Sequence, residues 1–170
     1  MKKLMLIAAF AAFGLSNVNA QETSFGVKAG VDFASSKVEF DGFSATGSET
    51  GFYVGAFAEI GVSEKFAVQP ELLYVAVTDA NQIALPIMAK FMVTDQFNVM
   101  AGPTLGFVMD QPEGFNSFNY GIEAGVSYEF TEEFFAEARY NIGLANLIED
   151  GGSDVSAKLS GFFLGVGYKF

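Results

Sequence analysis

Residues 161–170, from Gly161 to Phe170, read GFFLGVGYKF. At every second position stand Phe162, Leu164, Val166, Tyr168 and Phe170, while Gly161, Phe163, Gly165, Gly167 and Lys169 fall between them. A period of two is the signature of a β-strand, and here one face is wholly apolar. The strand ends on a bare phenyl ring, which a soluble protein seldom leaves at the end of its chain. The direction in which that apolar face points decides the fold.

The same alternation recurs upstream. Strands are predicted over residues 24–33, 51–60, 66–76, 82–93, 97–108, 118–130, 134–144 and 159–170. Three of the connections share one form of apolar, Ser/Thr, acid, polar, Phe. They are Val62-Ser63-Glu64-Lys65-Phe66, Val93-Thr94-Asp95-Gln96-Phe97 and Phe130-Thr131-Glu132-Glu133-Phe134, spaced 31 and 37 residues apart. That spacing suits an up-and-down pair of strands with its loop, so the motif marks three equivalent hairpin ends. The gaps at 34–50, 77–81, 109–117 and 145–158 are mostly longer and rich in Ser, Gly, Asn and acids, and are predicted to be loops at the opposite end.

Residues 1–20 have the form of a secretory leader: Lys2 and Lys3, an apolar run from Leu4 to Leu15, and small residues before Gln21. That run is shorter than the ~20 residues a membrane-spanning helix needs. A 21–170 barrel domain would remain after its removal. With both leader lysines gone, seven basic residues face twenty acidic ones, a net charge of −13. Nucleic acid is an unsuitable partner for such a chain. The sequence holds no cysteine and no histidine, which removes disulfides, the commonest general base and the commonest metal ligand. Although 51% of residues are hydrophobic, no later run is long enough for a membrane helix, so the apolar residues are spent in alternating strands.

Eight antiparallel strands can close as a soluble cup with apolar residues inside, or as a membrane barrel with them outside. The second face of the strands carries long charged side chains interleaved with glycine, a mixture that suits a narrow polar lumen better than a wet surface. Phe25, Phe66, Phe97, Phe130, Phe134, Tyr168 and Phe170 all fall at the short-turn end of their strands. Phenylalanine is a good strand residue anywhere, but this shared level is what an aromatic girdle at the periplasmic membrane interface requires. Phe52, Tyr74, Phe107 and Phe118 would form a second ring. The expected fold is all-β, an eight-stranded antiparallel up-and-down transmembrane β-barrel.

Several stretches carry a family resemblance: Gly26-Val27-Lys28-Ala29-Gly30, Phe66-Ala67-Val68-Gln69-Pro70-Glu71-Leu72-Leu73-Tyr74, Leu85-Pro86-Ile87, Ala101-Gly102-Pro103, Phe135-Ala136-Glu137-Ala138-Arg139-Tyr140 and Gly165-Val166-Gly167-Tyr168-Lys169-Phe170. In these, and in their order, the chain resembles the small outer-membrane β-barrel proteins of the Bacteroidetes type, the PorT-like or porin-family β-barrel domain. The resemblance implies an OmpX/OmpA-like architecture and a bacterial outer-membrane location, reached through the inner membrane with the leader removed. It also implies membrane lipid and the barrel-assembly machinery as partners. That machinery reads an aromatic-ended last strand. Gly165, Tyr168 and Phe170 match such an insertion signal, while Phe163 stands where a polar residue is usual.

The inward set Lys28, Glu59, Glu71, Lys90, Glu123, Glu137 and Arg139 is the sharpest candidate for chemistry. Its carboxylates could gate the lumen or act as an acid–base pair. Without a companion catalytic group, the expected role is a salt-bridged filling of an interior just wide enough for its own side chains. No catalytic residue, metal ligand or cofactor is assigned; acidic loops could offer oxygens to calcium, but not in an EF-hand order. Pro70, Pro86 and Pro103 lie inside three successive strands and predict bulges or irregular pairing. The expected role is structural or a surface interaction through extracellular loops, with an unknown ligand or partner protein. A narrow porin-like channel, or a part of a secretion or transport assembly, is the alternative, and an enzyme comes third.

Overall fold

A computed structural model describes residues 23–40, 43–78, 81–109, 114–148 and 155–170. Residues 1–20, the predicted leader, lie outside the described residues, as do Asp79, Asp110, Glu113, Glu149, Asp150 and Asp154 of the predicted acidic loops. The described residues form eight strands: β1 (Thr23–Phe40), β2 (Phe43–Ser63), β3 (Phe66–Ala76), β4 (Gln82–Met92), β5 (Phe97–Val108), β6 (Phe118–Glu129), β7 (Phe134–Gly143) and β8 (Val155–Lys169). Each pairs antiparallel with its sequence neighbours, and β8 pairs with β1 from Gly26↔Lys169 to Phe40↔Val155, closing the barrel. Closure is the one arrangement that leaves a sheet no edge, so every strand has two partners.

The alternation resolves as inside and outside. Along β4, Ile83, Leu85 and Ile87 are exposed while Ala84, Met88 and Lys90 are buried; along β6, Ile122 is exposed and Glu123 buried. The rule of a soluble protein is inverted on every strand, with Phe52, Val54, Leu72, Leu105 and Val166 outward and Lys28, Glu71, Glu137 and Arg139 inward. Such a surface is the lipid-facing wall of a membrane barrel and rules out the soluble cup.

Two of the three recurrent turns are built alike. Thr94 Oγ1 accepts from the backbone N–H of Phe97 at 2.9 Å, and Thr131 Oγ1 from that of Phe134 at 3.0 Å. Val93 and Phe130 each donate to the carbonyl of the phenylalanine that starts the next strand, both at 2.9 Å. The threonine thus supplies the local hydrogen bond that holds the turn. The first copy departs from this. Ser63 still belongs to β2, a register shift lies between Gly61 and Ser63, and only Glu64 and Lys65 turn.

Two strand boundaries need correction, and the form of a third expected feature is settled. The predicted gap at 34–50 is a hairpin: β1 and β2 stay paired to Phe40↔Phe43. Its Ser, Gly and acid content reflects water on both faces, not lost strand structure, because outside the membrane nothing enforces alternation. For the same reason β8 begins at Val155 instead of 159 and follows β1 to its tip. The prolines bring the expected irregular pairing, as gaps in the ladders and not as bulges. The β2–β3 ladder skips from Phe57↔Glu71 to Ile60↔Val68 at Pro70, and the β3–β4 ladder from Pro70↔Ile87 to Leu73↔Ala84 at Pro86. At Pro103 the β4–β5 ladder skips from Pro86↔Thr104 to Ala89↔Ala101. Each missing N–H costs a ladder contact on one side, and register resumes unchanged.

Candidate functional site in the barrel lumen

The inward residues gather in layers. Nearest the short turns, Glu59 of β2, Lys90 of β4, Glu129 of β6 and Lys169 of β8 form a ring of alternating charge. Lys90 Nζ lies 2.7 Å from Glu59 and 2.8 Å from Glu129, and Lys169 Nζ lies 3.4 Å and 2.9 Å from the same two carboxylates. Alternate strands place their inward side chains at one level in a small barrel, so four strands meet in this ring. Asn98 Nδ2 also donates to Glu129, at 3.1 Å.

Phe57 and Phe135 cross the lumen above the ring, edge to face with centroids 5.5 Å apart. Lys90 and Lys169 lie 5.9 and 6.0 Å from the Phe135 centroid on one side, and Lys28 lies 5.8 Å from that of Phe57 on the other. The two rings thus separate two charged layers and offer each cation a π face.

The middle layer is the most enclosed. Arg139 Nη1 stands 2.9 Å from Glu71 and 2.7 Å from Glu123, with Nε 3.2 Å from Glu137. Lys28 Nζ is 2.7 Å from Glu71 and 3.2 Å from Glu137. Neutral groups complete the layer: Tyr53 donates to Glu137 at 2.8 Å, Gln69 to Glu71 at 2.7 Å and Thr104 to Glu123 at 3.2 Å. The Arg139 guanidinium lies 5.8 Å from the Tyr53 ring and 5.7 Å from that of Phe163. This explains the aromatic residue at 163, where the insertion pattern has a polar one. The ion pairs of Arg139 Nε with Glu137 and of Nη1 with Glu123 are close but not aligned as hydrogen bonds, and Nη2 has no partner among the described residues.

The seven charged residues singled out in sequence therefore divide between two layers. Lys28, Glu71, Glu123, Glu137 and Arg139 meet in the middle, whereas Glu59 and Lys90 join Glu129 and Lys169. Glu129, Lys169 and Tyr53 were not in that set, although they share its strand parity. Parity was the available signal, but which inward charges meet depends on register.

Register also explains the inward glycines. Gly26 is the cross-strand partner of Phe57, Gly30 of Tyr53, Gly55 of Leu73, Gly125 of Arg139 and Gly167 of Phe135. A Cβ on Gly125 would sit 2.6 Å from Arg139 Cγ, and one on Gly30 would sit 2.7 Å from the Tyr53 ring. Each large side chain lies down over a residue that has none, which lets so many bulky groups share one narrow lumen.

Outside, Phe25, Phe97, Phe130, Phe134 and Phe170 are exposed at the short-turn end, with Phe66 and Tyr168 half-buried among them. Tyr168 packs on Phe134 at 4.8 Å and on Phe170 at 5.5 Å, and the backbone N–H of Phe170 donates to the Phe25 carbonyl at 2.8 Å. The aromatic end of the last strand is thereby tied to the first. Gly165 faces the lumen, where the Tyr53 hydroxyl occupies the place a Cβ would take. Phe52, Tyr74, Phe107 and Phe118 are exposed toward the long-loop end.

Among solved structures, a de novo designed transmembrane β-barrel is similar at 14% identity and a TM-score of 0.53, covering 86% of this chain and 95% of that one. Ail, the attachment invasion locus protein of Yersinia pestis, is similar at 17% identity and 0.52, with 90% of this chain and 100% of that one covered. Neisserial surface protein A aligns at 20% identity and 0.50, covering 88% and 99%. At these identities the likeness is one of fold. No curated protein matches the sequence. The family model for the outer membrane protein beta-barrel domain matches residues 5–170. With a closed barrel, apolar outside and charged within, the chain belongs to the outer membrane protein beta-barrel domain family.

Proposed function

We propose that the protein is a non-enzymatic outer-membrane barrel whose lumen is plugged by its own side chains and whose β2–β1–β8 sheet is displayed outside the cell for contact with another molecule or surface. One observation carries this reading. The β1–β2 and β1–β8 ladders run on to Phe40, whereas β2–β3 pairing stops at Phe52↔Ala76 and β7–β8 pairing at Ile142↔Ser160. Three strands therefore project past their neighbours, and residues 43–51 of β2 keep an edge that β3 does not cover. The long-loop end faces outward because small barrels keep their short turns in the periplasm.

Delivery follows the same reading. The 1–20 leader is removed on export, the barrel-assembly machinery recognises Gly165, Tyr168 and Phe170, and the aromatic girdle settles in the periplasmic interface. Membership of the Bacteroidetes-type, PorT-like branch is part of this proposal and rests on the motif order. The rival reading is a narrow channel. Two charged layers divided by the Phe57–Phe135 pair favour a plug. The protein reconstituted in planar bilayers should show no steady unitary current, and a reproducible open level would overturn closure. Display has a separate test: replacing residues 36–47 by a two-residue turn should keep the folded barrel and abolish adhesion of cells carrying it. Unchanged adhesion would remove the surface role.

A further inference from the structure

The lumen is not equally full along its length. Above the Arg139 layer, toward the long-loop end, lies a cavity of about 170 Å³. On a comparable measure a single water needs roughly 10–15 Å³, so the space admits a small molecule. It runs from the exposed rim at Ser36 and Glu49 down to buried Glu123.

Its chemistry is one-sided. The lining includes the carboxylates of Asp32, Glu49 and Glu123 but no lysine or arginine among the described residues. Glu123 is already engaged by Arg139 at 2.7 Å. Asp32 is not: its side chain is among the buried set at 2% exposure, and Oδ1 has no hydrogen-bond partner among the described residues. Asn119, which lines the same cavity and is 8% exposed, leaves its Oδ1 equally unmatched. Two buried acceptors thus line one space with no donor in hydrogen-bonding reach among the described residues, whereas the buried carboxylates of Glu71, Glu123 and Glu137 each have two or more partners. Buried polar groups are nearly always paired, so such a pair of exceptions calls for an occupant. Beside polar Gln82, Thr104 and Ser160, the wall has an apolar patch formed by Leu73, Ala84 and Phe163, which belong to one packed cluster. Gly161 keeps the space beside the carboxylate free, since a Cβ there would stand 2.6 Å from Asp32 Oδ1.

We propose that this cavity binds a small organic ammonium, with Asp32 and Asn119 accepting its N–H hydrogens and Leu73, Ala84 and Phe163 covering its carbon chain. A carboxylate and a neutral carbonyl match a cation that donates several hydrogens, and the apolar patch distinguishes an alkylamine from a bare metal ion. Among the described residues there is no group of three or more His, Cys, Asp or Glu side chains suited to a metal. The inference stands apart from surface display, because the site lies inside the mouth and the layers beneath it remain closed.

The test uses the full mature protein folded in detergent micelles, titrated calorimetrically with n-butylammonium chloride and, separately, with n-butanol. Butylammonium should bind saturably and at least tenfold more tightly than butanol. Asp32→Asn, which preserves shape, should weaken butylammonium at least tenfold in protein that still shows heat-modifiable gel migration. Equal binding of butanol overturns the proposal. So does no saturable binding of either probe, which would leave water as the occupant, or unchanged affinity in folded Asp32→Asn protein. If Asp32→Asn does not fold, the Asn119 side-chain amide resonance of the unaltered protein decides. A shift with butylammonium but not with butanol supports the site, and no shift overturns it.

Discussion

The two halves of the lumen are built from the same residue types and behave differently. Toward the short turns, two lysines and two glutamates close a ring in which each cation touches both anions. In the middle, Lys28 and Arg139 serve three carboxylates, Glu71, Glu123 and Glu137. Toward the long loops, Asp32 has no lysine or arginine within ion-pairing distance among the described residues, and packing gives way to a cavity. Positive charge thus runs out along the axis. Burying charge is tolerated where every member is held by partners near 3 Å, and such layers serve as filling. Where partners are missing, the same polar face becomes a place for something else to bind.

The largest effect should come from breaking the full half at its centre. Arg139→Met leaves three buried carboxylates with Lys28 as the one cation of their layer, and removing one partner of a buried ion cluster costs about 3–5 kcal/mol. Urea unfolding in lipid vesicles should show that loss, or the folded gel band should vanish. Asp32→Asn, by contrast, removes a carboxylate that no cation holds and should leave the unfolding midpoint in place. Equal losses in the two variants would erase the distinction between the halves.

Packing gives an intermediate test. A Cβ on Gly26 collides with the Phe57 ring and the Tyr168 carbonyl, whereas on Gly106, which lines the cavity, the nearest atoms lie 3.3 and 3.5 Å away. Gly26→Ala should cost about 1–3 kcal/mol by overpacking, and Gly106→Ala should be tolerated in the same unfolding assay. The smallest effect belongs outside the lumen. Lys37 and Glu39 pair at 2.6 Å on the projecting hairpin, both about half exposed. The hydrogen bond from Lys37, and then its charge, hold the Glu39 carboxyl below its ordinary range. A lowered carboxyl lends stability above its unfolded pKa and loses it as pH falls through its folded one. On so exposed a pair, salt screens that contribution. Lys37→Gln should therefore leave stability unchanged, while the Glu39 carboxyl resonance titrates at higher pH than in the unaltered protein.

Legibility followed the membrane. Strands β3 and β5 were bounded correctly from sequence, because lipid on one side and lumen on the other impose alternation residue by residue. Beyond the bilayer that constraint ends, so the polar stretch 34–50 looked like a loop although its backbone stays paired. The prolines announced irregular pairing but not its form, since neighbouring ladders absorb a missing N–H without a shift in register. In the lumen, strand parity identified inward Lys28, Glu71 and Arg139. It put Glu129 and Lys169 on the same inward face too, but gave no reason to group them with Glu59 and Lys90 apart from the middle layer.

By itself, the sequence determined the architecture: eight apolar faces free of charge, opposed by faces of charge and glycine, can close only with the apolar side toward lipid. It also determined the aromatic end of the last strand. Tertiary structure alone decided which inward groups meet, because Lys28 and Glu137 lie 109 residues apart and come together only when barrel closure fixes the register. It alone placed glycines opposite Tyr53, Phe57, Phe135 and Arg139, and left Asp32 and Asn119 without partners. Which face a side chain takes is a local property of the strand, whereas its partner is set by the pairing of distant strands.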